Sequence, residues 1–181
     1  MSEATEARVA RLAAALGSDG RLLATAESCT GGGIAAACTD RAGSSAWFDR
    51  GFVTYSNDAK REMLGVPEAL LAAHGAVSEA VAIAMAEGAV ARSRADVAVA
   101  VTGIAGPSGG SAGKPVGTVW IATAGRGGTA RAAHHRFAGD RRAVREATVA
   151  AALDLVLDAV ISGASDGMSE RAPDAGPGAA G

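Results

Sequence analysis

The sequence predicts an α/β fold: a mixed, mostly parallel sheet covered by helices on both faces, in a single domain. Three observations carry this. Short apolar runs alternate with helical patterns through the first hundred residues. The last two strand-like runs are separated by a four-residue glycine turn, the mark of a hairpin. A chain of 181 residues that is 49% hydrophobic and 20% charged has enough apolar side chain for one substantial core.

In chain order, residues 6–16 carry Val9, Leu12, Ala13 and Leu16 at helical spacing, and Gly17 is a plausible stop. Residues 21–26 read as a short buried strand that runs into Glu27-Ser28-Cys29-Thr30-Gly31-Gly32-Gly33 and an Ala-rich helix from about Ile34. A second strand at 52–55 leads to Ser56 or Asn57 as cap of a helix ending at Leu64. Pro67 starts a short helix that ends near His74. Ser78 is a good N-cap for a helix to about Ser93, with Glu79 in its first turn. The Val/Ala alternation of 96–102 predicts a central strand that empties into the glycine-rich stretch 103–113. Strands at 116–124 and 129–137 flank Gly125-Arg126-Gly127-Gly128. Asp140 caps a long helix from Arg141 to about Ile161. Residues 162–181 are Gly, Ala, Ser, Pro and Asp for the most part and are expected to form a disordered tail, which leaves 1–161 as the domain.

Composition narrows the function classes. Aromatics are 3%, so there are few platforms on which bases could stack, and the net charge of −2 lacks the basic excess of a nucleic-acid binder. Cys29 and Cys38 are too few for a disulfide framework, and no further Cys/His pair has zinc-ligand spacing. Residues 1–8 are polar, with no apolar signal-peptide core, and no apolar run reaches the roughly 20 residues of a membrane helix. The expected setting is the cytoplasm, with no membrane partner, no nucleic acid, no metal and no cofactor. The Ala-rich helices suit close packing and a homo-oligomer, a dimer or higher.

Four segments are able to carry chemistry. The first is Glu27 to Gly33, between a strand and a helix. Such a turn can be plain structure, a phosphate cradle on the free N–H groups of the helix start, or the seat of an exposed nucleophile. It lacks the Gly-Lys-Ser/Thr of a phosphate-binding P-loop and the Gly-x-Ser-x-Gly of hydrolase elbows. The second is Tyr55-Ser56-Asn57-Asp58-Ala59-Lys60. Lys60 is one of only two lysines, and a buried lysine, unlike arginine, can lose its proton and serve a serine as base. The third is Thr102-Gly103-Ile104-Ala105-Gly106-Pro107, at the carboxyl end of the central strand, where open sheets form ligand crevices. The fourth is Asp140-Arg141-Arg142-Ala143-Val144-Arg145, which sets arginines against the helix dipole and reads either as a solvated basic face or as a seat for an anion. Cys29 is a rival nucleophile with no activating neighbour in sequence. His134 and His135 face opposite sides of a strand, and His74 marks a helix end.

Together these segments resemble the CinA C-terminal domain family. The resemblance rests on Ala26-Glu27-Ser28-Cys29-Thr30-Gly31-Gly32, Val53-Thr54-Tyr55-Ser56-Asn57, Ala59-Lys60, Gly75-Ala76-Val77-Ser78-Glu79, Thr102 to Pro107, Lys114-Pro115-Val116-Gly117-Thr118-Val119 and Gly139-Asp140-Arg141, in family order over residues 6 to 161. It implies an α/β amidohydrolase that converts nicotinamide mononucleotide to nicotinate mononucleotide and ammonia. It implies Ser28 as nucleophile, Lys60 as general base and Tyr55 in the site. Thr30, Gly31, Gly32, Asn57, Thr102, Gly103, Gly106, Arg141 and Arg145 are then the substrate-binding residues. Longer relatives carry an N-terminal domain associated with ADP-ribose hydrolysis, which is absent from this sequence. Two positions depart from the family pattern: Gly33, where a larger apolar residue is more usual, and Arg50, where glycine is common. The alternatives are a non-catalytic nucleotide-binding regulatory module and a hydrolase of another small carboxamide.

Overall fold

The computed structural model describes residues 2–128 and 130–167. Helix α1 (Glu3–Asp19) precedes β1 (Leu23–Glu27), α2 (Gly33–Thr39), a single 3-10 turn (Ser44–Ala46) and β2 (Phe48–Val53). Three helices follow, α3 (Asn57–Leu64), α4 (Glu68–His74) and α5 (Glu79–Ala91). Then come β3 (Val97–Gly103), the hairpin β4 (Thr118–Gly125) and β5 (Arg131–Arg136), and finally α6 (Arg141–Gly167).

The five strands form one mixed sheet in the order β2-β1-β3-β4-β5. β1 pairs in parallel with β2 and β3, whereas β3–β4 and β4–β5 are antiparallel. The parallel half is therefore confined to the β2-β1-β3 side, and the hairpin expected at 125–128 supplies the rest.

Side-chain alternation along the strands builds two different faces. Leu23, Val97, Val99, Val101, Val119 and Ile121 point to one side, where α1, α2 and α6 cover them with Val9, Leu12, Leu16, Ile34, Val144, Leu153 and Val156. Ala24, Ala26, Ala98, Ala100, Ala122 and Ala124 point to the other, against Leu64, Val81, Met85, Ala86 and Ala89. The period-two pattern of a strand thus sorts large side chains to one helix layer and alanines to the other. The alanine face lets α5 settle close to the sheet, and α5 is accordingly apolar on nearly every side.

The chain ends its first helix later than the spacing predicts. Gly17 lies inside α1, and the stop is Gly20, in the left-handed region at φ 65°, whose N–H reaches the carbonyls of Leu16 and Gly17. β2 begins at Phe48 rather than at residue 52 and ends before Thr54. α6 continues six residues beyond Ile161, because extending a formed helix costs far less than nucleating one, and 162–167 contain no proline. The part of the expected tail at 168–181 lies outside the described residues. Among the described residues no helix is long and apolar enough to cross a membrane.

Candidate active site

β1 and β3 lie side by side and parallel, and the connections that leave their carboxyl ends diverge. β1 turns through α2 to its outer neighbour β2, while β3 crosses to β4 on the other side. Such a divergence opens a crevice above the strand ends. A cavity of about 200 Å³ occupies it, with Ser28 and Cys29 beyond β1, Thr102 and Gly103 at the end of β3, Tyr55, Asn57 and Lys60 at the start of α3, and Arg141 of α6.

Lys60 is the largest fully buried side chain, with 1% of its surface exposed. Ser56 caps α3 by accepting the N–H of Ala59, which fixes the first turn and aims Lys60 inward. Its Nζ lies 3.1 Å from Ser28 Oγ, 2.9 Å from the Thr54 carbonyl and 3.4 Å from the Tyr55 carbonyl. No carboxylate pairs with it among the described residues. Desolvation pushes its pKa down to about 8. An uncharged amine has two N–H donors and one lone pair. The two carbonyls can take the donors, which leaves the lone pair for the Ser28 hydroxyl.

Ser28 begins the turn between β1 and α2. Its N–H is spent on the Val101 carbonyl, so the residue is anchored to β3 as well as to β1. The neighbouring thiol is no competitor at neutral pH: burial pushes Cys29 up to about 11, which keeps it protonated.

The other expected site residues divide. Asn57, Thr102 and Gly103 line the cavity, and Thr102 donates its hydroxyl to the Ala76 carbonyl at 2.8 Å. Tyr55 lines the mouth, 62% exposed, and its hydroxyl accepts from Arg141 Nη2 at 3.2 Å. Arg141 also donates to the Gly106 carbonyl at 2.9 Å, so Gly106 serves the site through its backbone. Arg145 does not line this cavity. It lines a second one of about 470 Å³, with Arg141 and Arg142, and the two cavities share Ala105 and Arg141. Arg142 pairs with Glu146 at 2.7 Å, whereas Arg141 and Arg145 have no carboxylate partner among the described residues. Arg145 donates to the Thr30 carbonyl at 2.8 Å, and its Nε is buried with no partner.

Thr30, Gly31 and Gly32 line neither cavity. Thr30 is fully buried and its hydroxyl donates to Glu27 at 2.7 Å. The N–H groups of Ile34 and Ala35 also go to the Glu27 carboxylate, at 3.0 and 2.8 Å. An anion of the chain itself therefore occupies the start of α2, and the N–H groups of Ile34 and Ala35 are not free for a substrate phosphate.

The two departures from the family pattern act away from the reacting groups. A Cβ on Gly33 would come 3.2 Å from Val149 of α6. Arg50 lies within β2, bound to Asp49 and to the Arg92 carbonyl beyond α5, and lines neither cavity. Among the described residues no group of three or more His, Cys, Asp or Glu side chains is placed to hold a metal ion. Sequence reasoning missed Glu27. The available signal was a glycine N-cap with no acidic residue in the first turn of α2, beside a charged residue at the end of a fully buried strand.

Comparison with known proteins agrees with this fold. The family model of the CinA C-terminal domain matches residues 5–160. A nicotinamide-nucleotide amidohydrolase PncC from Enterobacter agglomerans is 61% identical over 134 residues, covering 74% of this chain and 82% of that protein. The protein of the same name from Escherichia coli strain K12 is 58% identical over 139 residues, 77% of this chain and 84% of the other. The crystal structure of competence/damage inducible protein CihA from Agrobacterium tumefaciens superposes with a TM-score of 0.86 at 51% identity, covering 87% of this chain and 96% of that one.

Proposed function

Because the chain belongs to the CinA C-terminal domain family, we propose that it is an amidohydrolase that deamidates nicotinamide mononucleotide to nicotinate mononucleotide and ammonia. Two relatives at about 60% identity carry the name nicotinamide-nucleotide amidohydrolase, which supports the substrate. The observation that carries the chemistry is the buried lysine amine 3.1 Å from a serine hydroxyl at the floor of a cavity.

The reaction then runs as acyl transfer. Neutral Lys60 takes the Ser28 proton as Oγ attacks the carboxamide carbon. The N–H of Gly31 is spent on the Ser28 carbonyl and that of Gly33 on Thr30. Of the remaining turn residues only Cys29 lines the cavity, so the oxyanion falls to its N–H. Protonated Lys60 returns its proton to the departing nitrogen, and ammonia leaves an ester on Ser28. Water, deprotonated by the same amine, attacks that ester, Lys60 passes the proton to the departing Ser28 Oγ, and the carboxylate product is released. No step calls for a metal or an organic cofactor.

The smaller cavity suits the pyridine carboxamide, and the larger, arginine-lined one suits the ribose phosphate. Arg141 and Arg145 are guanidinium groups without carboxylate partners there, and such groups match phosphate. Tyr55 at the mouth would then bear on the nucleotide rather than on the proton of Ser28, since its hydroxyl is turned to Arg141. Two buried free cysteines fit a reducing compartment such as the cytoplasm.

The test is ammonia release from nicotinamide mononucleotide by the purified chain, with product identified as nicotinate mononucleotide. Absence of ammonia at any pH near 8 would remove the reading; a pure nucleotide binder would show affinity without turnover.

A further inference from the structure

Glu27 is fully buried at the end of β1, on the sheet face that α2 covers, and takes no part in the reaction as written. Its two oxygens accept four hydrogen bonds. Oε1 receives the Thr25 hydroxyl at 3.2 Å and the Ala35 N–H at 2.8 Å, and Oε2 receives the Thr30 hydroxyl at 2.7 Å and the Ile34 N–H at 3.0 Å. A carboxylate offers about four acceptor positions, so the group is saturated and its burial is compensated.

The two N–H groups are those that a Ser, Asp or Asn N-cap would ordinarily satisfy. The residue at the N-cap of α2 is Gly32, which has no side chain to do so. Glu27 supplies the cap from the far side of the loop, and one side chain thereby ties the end of β1 to the start of α2. Ser28 sits within the span so closed. Room for the clamp is built in from β2 as well. A Cβ on Gly51 would lie 2.9 Å from Thr25 Oγ1 and 3.0 Å from the Ala35 Cβ, which are on two of the four donor residues.

We infer that Glu27 is the positioning residue for the nucleophile: its carboxylate locks the Ser28 turn so that Oγ stands in reach of Lys60 Nζ. Its carboxylate bonds to neither Ser28 Oγ nor Lys60 Nζ, and acts through the backbone of the turn. The inference rests on the reading of Ser28 as nucleophile. It also gives the start of α2 to the protein's own anion, which leaves the substrate phosphate to α6.

Three variants test it on ammonia release from nicotinamide mononucleotide. Glu27→Gln keeps the volume but presents an NH2 group to donors, so two of the four bonds are lost. A displacement of the nucleophile by a fraction of an ångström is expected to lower kcat by roughly tenfold to a hundredfold, with KM within about twofold. The pH at which the rate is half-maximal should move little, because Lys60 keeps the burial that sets it. Glu27→Asp, one methylene shorter, should recover part of the rate. Thr30→Val removes a single bond without changing shape, and should lower kcat several-fold with KM unchanged.

Amide hydrogen exchange supplies a readout that needs no substrate. Ile34 and Ala35 should exchange faster in Glu27→Gln than in the parent protein. If the parent protein releases no ammonia, the functional reading fails and the exchange result still reports on the clamp. If it is active and Glu27→Gln keeps its kcat within about twofold, or loses rate only in proportion to folded protein, the positioning role is overturned. Should Glu27→Gln fail to fold, Thr30→Val decides: an unchanged kcat overturns the inference, and a fall in kcat at constant KM upholds it.

Discussion

Lys60 Nζ lies 3.1 Å from Ser28 Oγ, and the two residues are 1% and 8% exposed. They come from different crossovers, one following β1 and the other β2, and meet only because those strands are parallel neighbours. A lysine with no carboxylate partner in such a place costs stability while it is charged, so its retention calls for chemistry.

The rate should depend on pH through Lys60. The burial that lowers its pKa to about 8 leaves roughly a tenth of it neutral at pH 7, and only that fraction can take a proton. Activity should rise through a single ionisation near 8 and level off above it. Lys60→Arg keeps the charge but stays protonated, and should lose about two decades of rate or more. A flat profile from about pH 6 to about pH 10, or more than about a tenth of the rate in Lys60→Arg, would place the base elsewhere.

Stability should carry the same signature. The folded-state pKa is depressed below the free value of 10.5, so between about 8 and 10.5 the unfolded chain holds the extra proton. Stability contributed by this group is therefore lowest below pH 8 and rises toward pH 10.5. Measured against Lys60→Met, which cannot titrate, the wild type should gain up to about 3 kcal/mol across that window. Denaturant melts at both ends of the range check it. A constant difference between the two proteins would show that Lys60 does not titrate within the window.

Phosphate recognition should belong to α6. Arg141→Ala and Arg145→Ala should each raise KM for nicotinamide mononucleotide by about ten- to a hundredfold, the worth of a charge-assisted hydrogen bond. Arg145→Ala should leave KM for the riboside, which lacks the phosphate, unchanged, and Arg141→Ala, which also opens the smaller cavity, should raise it less than for the nucleotide. Thr30→Val, at the start of α2, should leave KM for the nucleotide unchanged. Equal losses for nucleotide and riboside would show that the arginines act on structure alone.

Gly51→Ala should be destabilising even though the residue lies in an ordinary strand. Its Cβ would press on Thr25 Oγ1 at 2.9 Å and on the Ala35 Cβ at 3.0 Å. Overpacking of this kind typically costs about 1–3 kcal/mol. If the Glu27 clamp positions the nucleophile, kcat should fall beyond the loss of folded protein. Chemical denaturation and steady-state kinetics on the same samples separate the two effects.

Much of this was legible in the sequence because the signals are local. Ser56 and Ser78 cap their helices as their positions predict, and the Val/Ala alternation of β3 marks a strand buried on both faces. Gly17 misled because a glycine inside a helix costs only about 1 kcal/mol, which tertiary contacts of Leu12 and Leu16 outweigh. The meeting of Ser28 with Lys60 was not derivable from spacing, since thirty-two positions separate them and strand order decides the contact. The turn from Glu27 to Gly33 left plain structure, phosphate cradle and nucleophile open by local rules. What local rules miss is Glu27, whose side chain reaches Ile34 and Ala35 across the loop, a long-range cap that no helix-start pattern describes.

The most direct measurement is the rate of ammonia release from nicotinamide mononucleotide by Ser28→Ala beside the wild type, at a pH just above 8. The Ser28 side chain bonds to Lys60 Nζ, which keeps the Thr54 and Tyr55 carbonyls in the variant, so Ser28→Ala should fold and bind. The account predicts turnover by the wild type to nicotinate mononucleotide and ammonia, and a loss of about three decades or more in Ser28→Ala. Retention of more than about a tenth of the rate by Ser28→Ala, with the same products, would contradict it.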